Sequence, residues 1–431
     1  MTMWGLFLLN LLPIGILLAL SRKNAVPFLT SSLLHPYFFL ALILLLYNID
    51  FLVLGAGQSA TRLSEMSASI PVRDVWYAFA VFSALQAALV AGILLAGAVH
   101  VPNRAVVGGG IRAARVVGAM LVVVSVAVTF GSLALGVSFL SLDVTHQNFY
   151  RENQALWLVK SLCNPAMALY VLSSGKWRHS DFLVLAGAVA VATLGGSRSS
   201  VLFASAIAGM KFALLGWRIR QSWTLVAIPA LGAILLVLRF YLREQWRYGS
   251  IVDFVAAQGG VVGTFFSTAE VSMADAFTMA YIYSDDIAVF PFQGFLFAAS
   301  LLIPRSFWPG KPISPSGSFT DALSPTRWEI TRSELTVTGF GDMLLEFGLV
   351  GALIACALFA FVWGYLVKKS AKAIHSVYQR FVFVALYWSV YSFVRGDMGN
   401  LGGLLWPFVL VYVIWRIAAY FIKDRVVRGS H

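Results

Sequence analysis

Runs of about 20 residues with almost no charge recur along this chain, and a helix needs that length to cross the hydrocarbon core of a bilayer. They fall at roughly 3–20, 34–55, 75–97, 115–138, 154–173, 181–196, 199–216, 222–242, 343–366, 381–395 and 401–421. In lipid every backbone donor and acceptor must be satisfied within the chain, so such runs fold as helices. Composition agrees: 59% of the residues are hydrophobic and 12% charged, against about 25% charged in a soluble domain. The expected fold is one all-α polytopic membrane domain over 1–431, with about 11 spans in a range of about 10–14.

The connectors carry the orientation. Arg22 and Lys23 follow the first run, Arg104, Arg112 and Arg115 the third, and Lys176, Arg178 and His179 the fifth. Arg218 and Arg220 follow the seventh, and Lys368, Lys369, Lys372 and Arg380 the ninth. All fall on one side if the spans alternate, which makes that side cytoplasmic by the positive-inside rule. The N-terminus is then outside and the C-terminus inside. One large outside segment remains, 243–335. Its apolar stretch from Phe290 to Ile303 is 14 residues long, which suits an interfacial or re-entrant segment better than a full span.

Cys163 and Cys356 both lie in apolar runs, which excludes a disulfide framework or a cysteine metal cluster. No metal or cofactor motif is present. The net charge of +12 is spread over short connectors. That pattern reads as topology and anionic lipid contact, not nucleic-acid binding.

The informative residues are charges at the outer helix ends. Arg198 sits in the turn Gly195-Gly196-Ser197-Arg198, and Arg239, Arg243 and Arg247 close the eighth run at a spacing that places them on one helical face. Arg305 and Lys311 bracket a turn containing Phe307 and Trp308, and Arg395-Gly396-Asp397 joins the last two runs. A guanidinium at a helix end is often only an interfacial anchor. So many outside, against the positive-inside rule, point to a phosphate or pyrophosphate ligand, which the guanidinium fork matches bidentately. Asp50 and Lys160 lie inside apolar runs, where a charge is either functional or pairs helices.

Four motifs occur in order: Gly196-Ser197-Arg198, then Ile303-Pro304-Arg305 leading to Trp308-Pro309-Gly310-Lys311-Pro312, then Thr338-Gly339-Phe340-Gly341-Asp342 running into Glu346-Phe347-Gly348, and Arg395-Gly396-Asp397. Together they resemble the bacterial O-antigen (oligosaccharide repeat-unit, Wzy-type) polymerase family. The likeness covers about residues 190–400. It departs from the family at Gly341-Asp342, where the family carries Gly-Glu, and in an outside segment poor in Tyr and His. The resemblance implies a bacterial inner-membrane glycosyltransferase with a GT-C-like bundle and a periplasmic active site. Its substrates would be oligosaccharides on undecaprenyl pyrophosphate, joined into O-antigen or a related surface polysaccharide without cofactor or metal. Other implied partners are membrane lipids and a chain-length regulator.

On that reading Arg198, Arg305 and Arg395 stabilise the departing pyrophosphate, supported by Lys311 and by Arg239 or Arg243. The acceptor hydroxyl needs a carboxylate, and Asp342 leads, with Glu346 and Asp397 as alternatives. Trp308 would stack on sugar or anchor at the interface. Two alternatives stand beside it. One is an O-antigen ligase-like transferase using the same donor. The other is a transporter or flippase of lipid-linked oligosaccharide, whose cations would line a cavity reachable from both sides.

Overall fold

The computed structural model describes residues 3–23, 35–55, 70–100, 110–134, 154–194, 198–215, 250–257, 260, 273–303, 307–331, 334–372 and 376–422. Within them the chain forms sixteen helices and no strand. Eight precede the large segment: α1 Met3–Lys23, α2 Pro36–Gly55, α3 Val72–Ala98, α4 Ile111–Ala134, α5 Gln154–Ser161, α6 Cys163–Ser173, α7 His179–Leu194 and α8 Arg198–Leu214. Five short ones follow: α9 Ile251–Ala257, α10 Ala274–Ile282, α11 Gln293–Ser300, α12 Pro315–Leu323 and α13 Pro325–Thr331. Three close the chain: α14 Thr338–Lys372, α15 Val377–Arg395 and α16 Met398–Phe421.

Among the described residues, seven segments are long and apolar enough to cross a membrane, and the chain is a multi-pass membrane protein. They are α1 to α4, α5 with α6 across a turn at Leu162, α14 and α16. The runs at 181–196 and 199–216 form α7 and α8, of 16 and 17 residues. At 1.5 Å per residue these reach about 25 Å, short of a 30 Å core. The run at 381–395 lies within α15, and the run at 222–242 lies outside the described residues.

α14 packs along α3 through small residues, because lipid gives helices no hydrophobic reason to associate and contact must come from close approach. A Cβ on Gly92 would collide with the Ala357 carbonyl, and Gly364 lies against Ile93 and Ala96. Lys368 Nζ then donates to the Gly97 and Val99 carbonyls at 2.6 and 2.8 Å, neutralising the end of α3. Across α1, α2 and α3, Asn10 donates to Asn48 and Ser83, while Asn48 and Gln86 exchange hydrogen bonds of 3.2 and 3.1 Å. Every member of that buried network has a partner, as the low dielectric requires.

Among the described residues, Arg115, Lys211 and Arg380 gather at one end of the bundle. Fully buried Lys211 donates to the carbonyls of Val171 and Ser174 and lies 3.9 Å from Asp181. Asp181 also accepts from Arg115 at 3.1 Å, and Arg380 donates to the Leu172 carbonyl.

At the opposite end three helices of 243–335 fold onto the bundle. α10 packs on α2, α3 and α14, α11 on α16 and α14, and α12 on α14. Asp50 explains itself here: its Oδ2 accepts from the backbone N–H groups of Met273 and Ala274 at 2.8 Å each, capping α10 from a different helix.

α14 is not one straight span. Gly348 breaks it at φ 63°, ψ −177°, a region open essentially to glycine alone. Residues 338–346 form a buried segment before the break, and a longer apolar stretch with one exposed face, including Val350, Ile354, Leu358 and Val362, follows it. Gly348→Ala is expected to lose about 1–3 kcal/mol, read as a lower thermal midpoint of the detergent-solubilised protein.

Candidate functional site

A cavity of about 350 Å³ opens among α5, α6, α7, α8, α15 and α16. Its polar lining is Lys160, Ser161, Asn164, Ser200, Tyr391, Ser392, Arg395 and Asn400, and its apolar lining includes Trp157, Trp388, Leu404 and Phe408. Three local structures put the polar groups there. α15 ends at Arg395, and Gly396 and Asp397 turn the chain directly into α16. Arg395 Cζ stands 5.8 Å from the Tyr391 ring centroid, one turn back on the same helix. α8 begins at Arg198, so Ser200 lies in its first turn, where Ser200 Oγ accepts from Asn164 at 2.9 Å. That first turn presents the positive end of a 17-residue helix. Lys160 contributes a second cation from α5.

Beside the cavity lies a nest of four carboxyl groups. Asp397 caps α16, its Oδ1 accepting from Asn400 N and Nδ2 at 2.6 and 3.0 Å. Asn400 also lines the cavity, so it joins the two regions. The other oxygen of Asp397, Oδ2, is buried without a hydrogen-bond partner. Asp342 is 0% exposed; its Oδ2 accepts from Met398 N at 2.8 Å, and Ser316 Oγ lies 3.4 Å from its Oδ1. Glu346, one turn further along α14, accepts from Gly294 N at 2.8 Å. Glu334 precedes α14, half-buried beside Ser314 and Gly317 of α12.

Burial, reinforced by the Asp397 charge, pushes Glu334 from its usual 4.5 up to about 8. The folded protein therefore favours its neutral form. The stability this provides is complete below about pH 4.5 and is lost as the pH rises through about 8. Glu334→Gln is expected to flatten the fall in thermal midpoint across that window, measured between those two pH values.

Backbone strain marks the same place. Phe292, at the start of α11, has φ 67°, and Thr338, at the start of α14, has φ 72°. A β-branched residue rarely adopts that conformation, and such outliers concentrate at functional sites. Thr338 Oγ1 accepts from Gly341 N at 3.2 Å, which helps hold the turn.

Of the residues singled out in the sequence, Arg395 lines the cavity and Arg198 starts a helix whose first turn does, though the Arg198 side chain is outside the described residues. Asp342, Glu346 and Asp397 meet in the nest, but none lines the cavity. Asp342 lies beneath the start of α16 and not at an open helix mouth. Lys311 is buried, donating to the Ile303 carbonyl at 3.1 Å, with its Nζ 5.7 Å from the Phe297 ring centroid. Trp308 is half-buried in the same turn. Arg305, Arg239 and Arg243 lie outside the described residues. Sequence reasoning missed Glu334, Asn164 and Tyr391. Nothing in their local sequence separates them from other polar residues. Among the described residues no group of three His, Cys, Asp or Glu side chains is arranged to hold a metal ion.

Comparison with known proteins returns no match: no family model, no curated protein and no solved structure.

Proposed function

We propose that this protein is a membrane glycosyltransferase that polymerises oligosaccharide repeat units carried on undecaprenyl pyrophosphate. In that reaction an acceptor hydroxyl oxygen attacks the anomeric carbon of the donor. The bond from that carbon to the pyrophosphate oxygen breaks, and the lipid pyrophosphate leaves with the electron pair. The hydroxyl proton passes to a base. Negative charge thus grows on the pyrophosphate, and fixed cations in a poorly hydrated site stabilise it.

The observation that carries this reading is the placement of Arg395 and Lys160 in one cavity with the first turn of α8. A carboxyl nest lies two residues beyond Arg395 through Asp397. Glu334 has its proton equilibrium near neutral pH, which suits a group that takes up and returns a proton. Because the described basic residues Arg115, Lys211 and Arg380 occupy the other end of the bundle, the cavity faces the periplasmic side of a bacterial inner membrane on this reading.

Complementation tests it. A strain deleted for the gene is expected to carry surface glycan with one repeat unit only, and the intact gene to restore a ladder of lengths. Loss of even the single-unit band on deletion would move the activity to ligation or flipping.

A further inference from the structure

We propose that α11 and its flanks are inserted in the lipid at the cavity-bearing end of the bundle, with bilayer acyl chains covering an outward aromatic face. The amphipathicity of this helix is inverted. Gln293, Gly294 and Ser300 face inward. Gln293 Nε2 donates to the Ile313 carbonyl and Ser318 Oγ at 3.1 and 3.0 Å, its Oε1 accepts from Phe290 N, and Ser300 Oγ donates to the Phe297 carbonyl at 2.9 Å. Phe290, Phe292, Phe295, Leu296 and Ile303 face outward, Phe292 being 64% exposed. Residues 287–303 contain no charged side chain.

A water-facing helix puts its polar groups outside. One surrounded by hydrocarbon satisfies them inside and exposes apolar side chains. Eight residues rise only about 12 Å, so α11 does not cross the membrane. It lies along the first two turns of α16, where Phe297 and Ala298 pack on Gly399 and Gly402 and Trp406 Nε1 donates to the Ala298 carbonyl at 2.7 Å. Further along α16, Val409, Val413 and Ile417 continue the exposed apolar surface, so the α11 face extends the lipid-facing flank of a spanning helix. A second copy of the chain or another protein would need a polar rim around the contact. This face turns its polar atoms away. The inference stands apart from the proposed activity, because it concerns only what covers α11.

The test is spin labelling of Phe295→Cys and Leu296→Cys in phosphatidylcholine–phosphatidylglycerol vesicles. The unsubstituted protein, whose Cys163 and Cys356 are buried, gives the background. Collision rates with oxygen and with a nickel chelate are compared with Val413→Cys on α16 and with Asp321→Cys, at an exposed position of α12. Both labels are expected to match Val413→Cys, with an oxygen-to-nickel ratio several-fold above that of Asp321→Cys. A ratio equal to that of Asp321→Cys would place the face in water. Labels shielded from both reagents would mean that protein covers it. Either result overturns the proposal. Ala299→Cys, a small outward side chain, repeats the measurement if replacing a larger residue disturbs folding.

Discussion

Arg395→Ala is expected to reduce chain extension by about 10²–10³-fold, the usual loss when one donor aimed at developing negative charge is removed. Arg395 closes α15, lines the cavity and stands near Tyr391, while Gly396 and Asp397 begin the next element at once. The helix needs no side chain at its last position, so folding should survive, as size-exclusion and thermal unfolding would show. Arg395→Lys keeps the charge but loses the planar fork, and an intermediate rate is expected. The rate is read as glycan lengthening per unit of membrane-inserted protein.

Asp50→Ala should damage the fold instead of the chemistry. Its carboxylate accepts two backbone N–H bonds at the start of α10, each 2.8 Å, from within a spanning helix. Hydrogen bonds to a charged group contribute about 1.5–3 kcal/mol each, so losing both costs about 3–6 kcal/mol. Asp50→Asn retains an acceptor oxygen and should lose less. The comparison is made on thermal midpoint and yield in detergent. If Asp50→Ala unfolds no earlier than the parent protein, Asp50 does not hold α10 as described.

The lipid environment explains which parts of the fold the sequence announces. A spanning helix must be about 20 residues long and apolar, so the seven spans of this kind are visible as runs of hydrophobic letters. α7 and α8 produce the same signal but are only 16 and 17 residues long, which hydropathy alone does not separate from a full span. The break at Gly348 is invisible in hydropathy, since the residues on both sides are apolar. It is a backbone property, and the glycine alone hints at it.

The candidate site is legible to the extent that charge is costly at a helix end or within a span. Arg395 and Lys160 stood out for that reason, and both line the cavity. Lys311 stood out too, yet its ammonium is taken up by a carbonyl of its own loop. Asp342 carries the motif but spends one oxygen on the N–H of Met398, a contact between residues 56 apart in sequence. Glu334 has an unremarkable neighbourhood in sequence. Its altered proton equilibrium arises from burial, reinforced by the Asp397 charge, and only the folded chain supplies either.

The most direct test of the central claim is reconstitution of the purified protein in proteoliposomes with a lipid-pyrophosphate-linked repeat unit and no other protein. Glycan length and free polyprenyl pyrophosphate are followed together. The account predicts a lengthening glycan and one released lipid pyrophosphate for each bond formed, both lost in Arg395→Ala. Passage of the intact lipid-linked unit across the bilayer, with no lengthening and no released pyrophosphate, would contradict it and make the cavity part of a transport path.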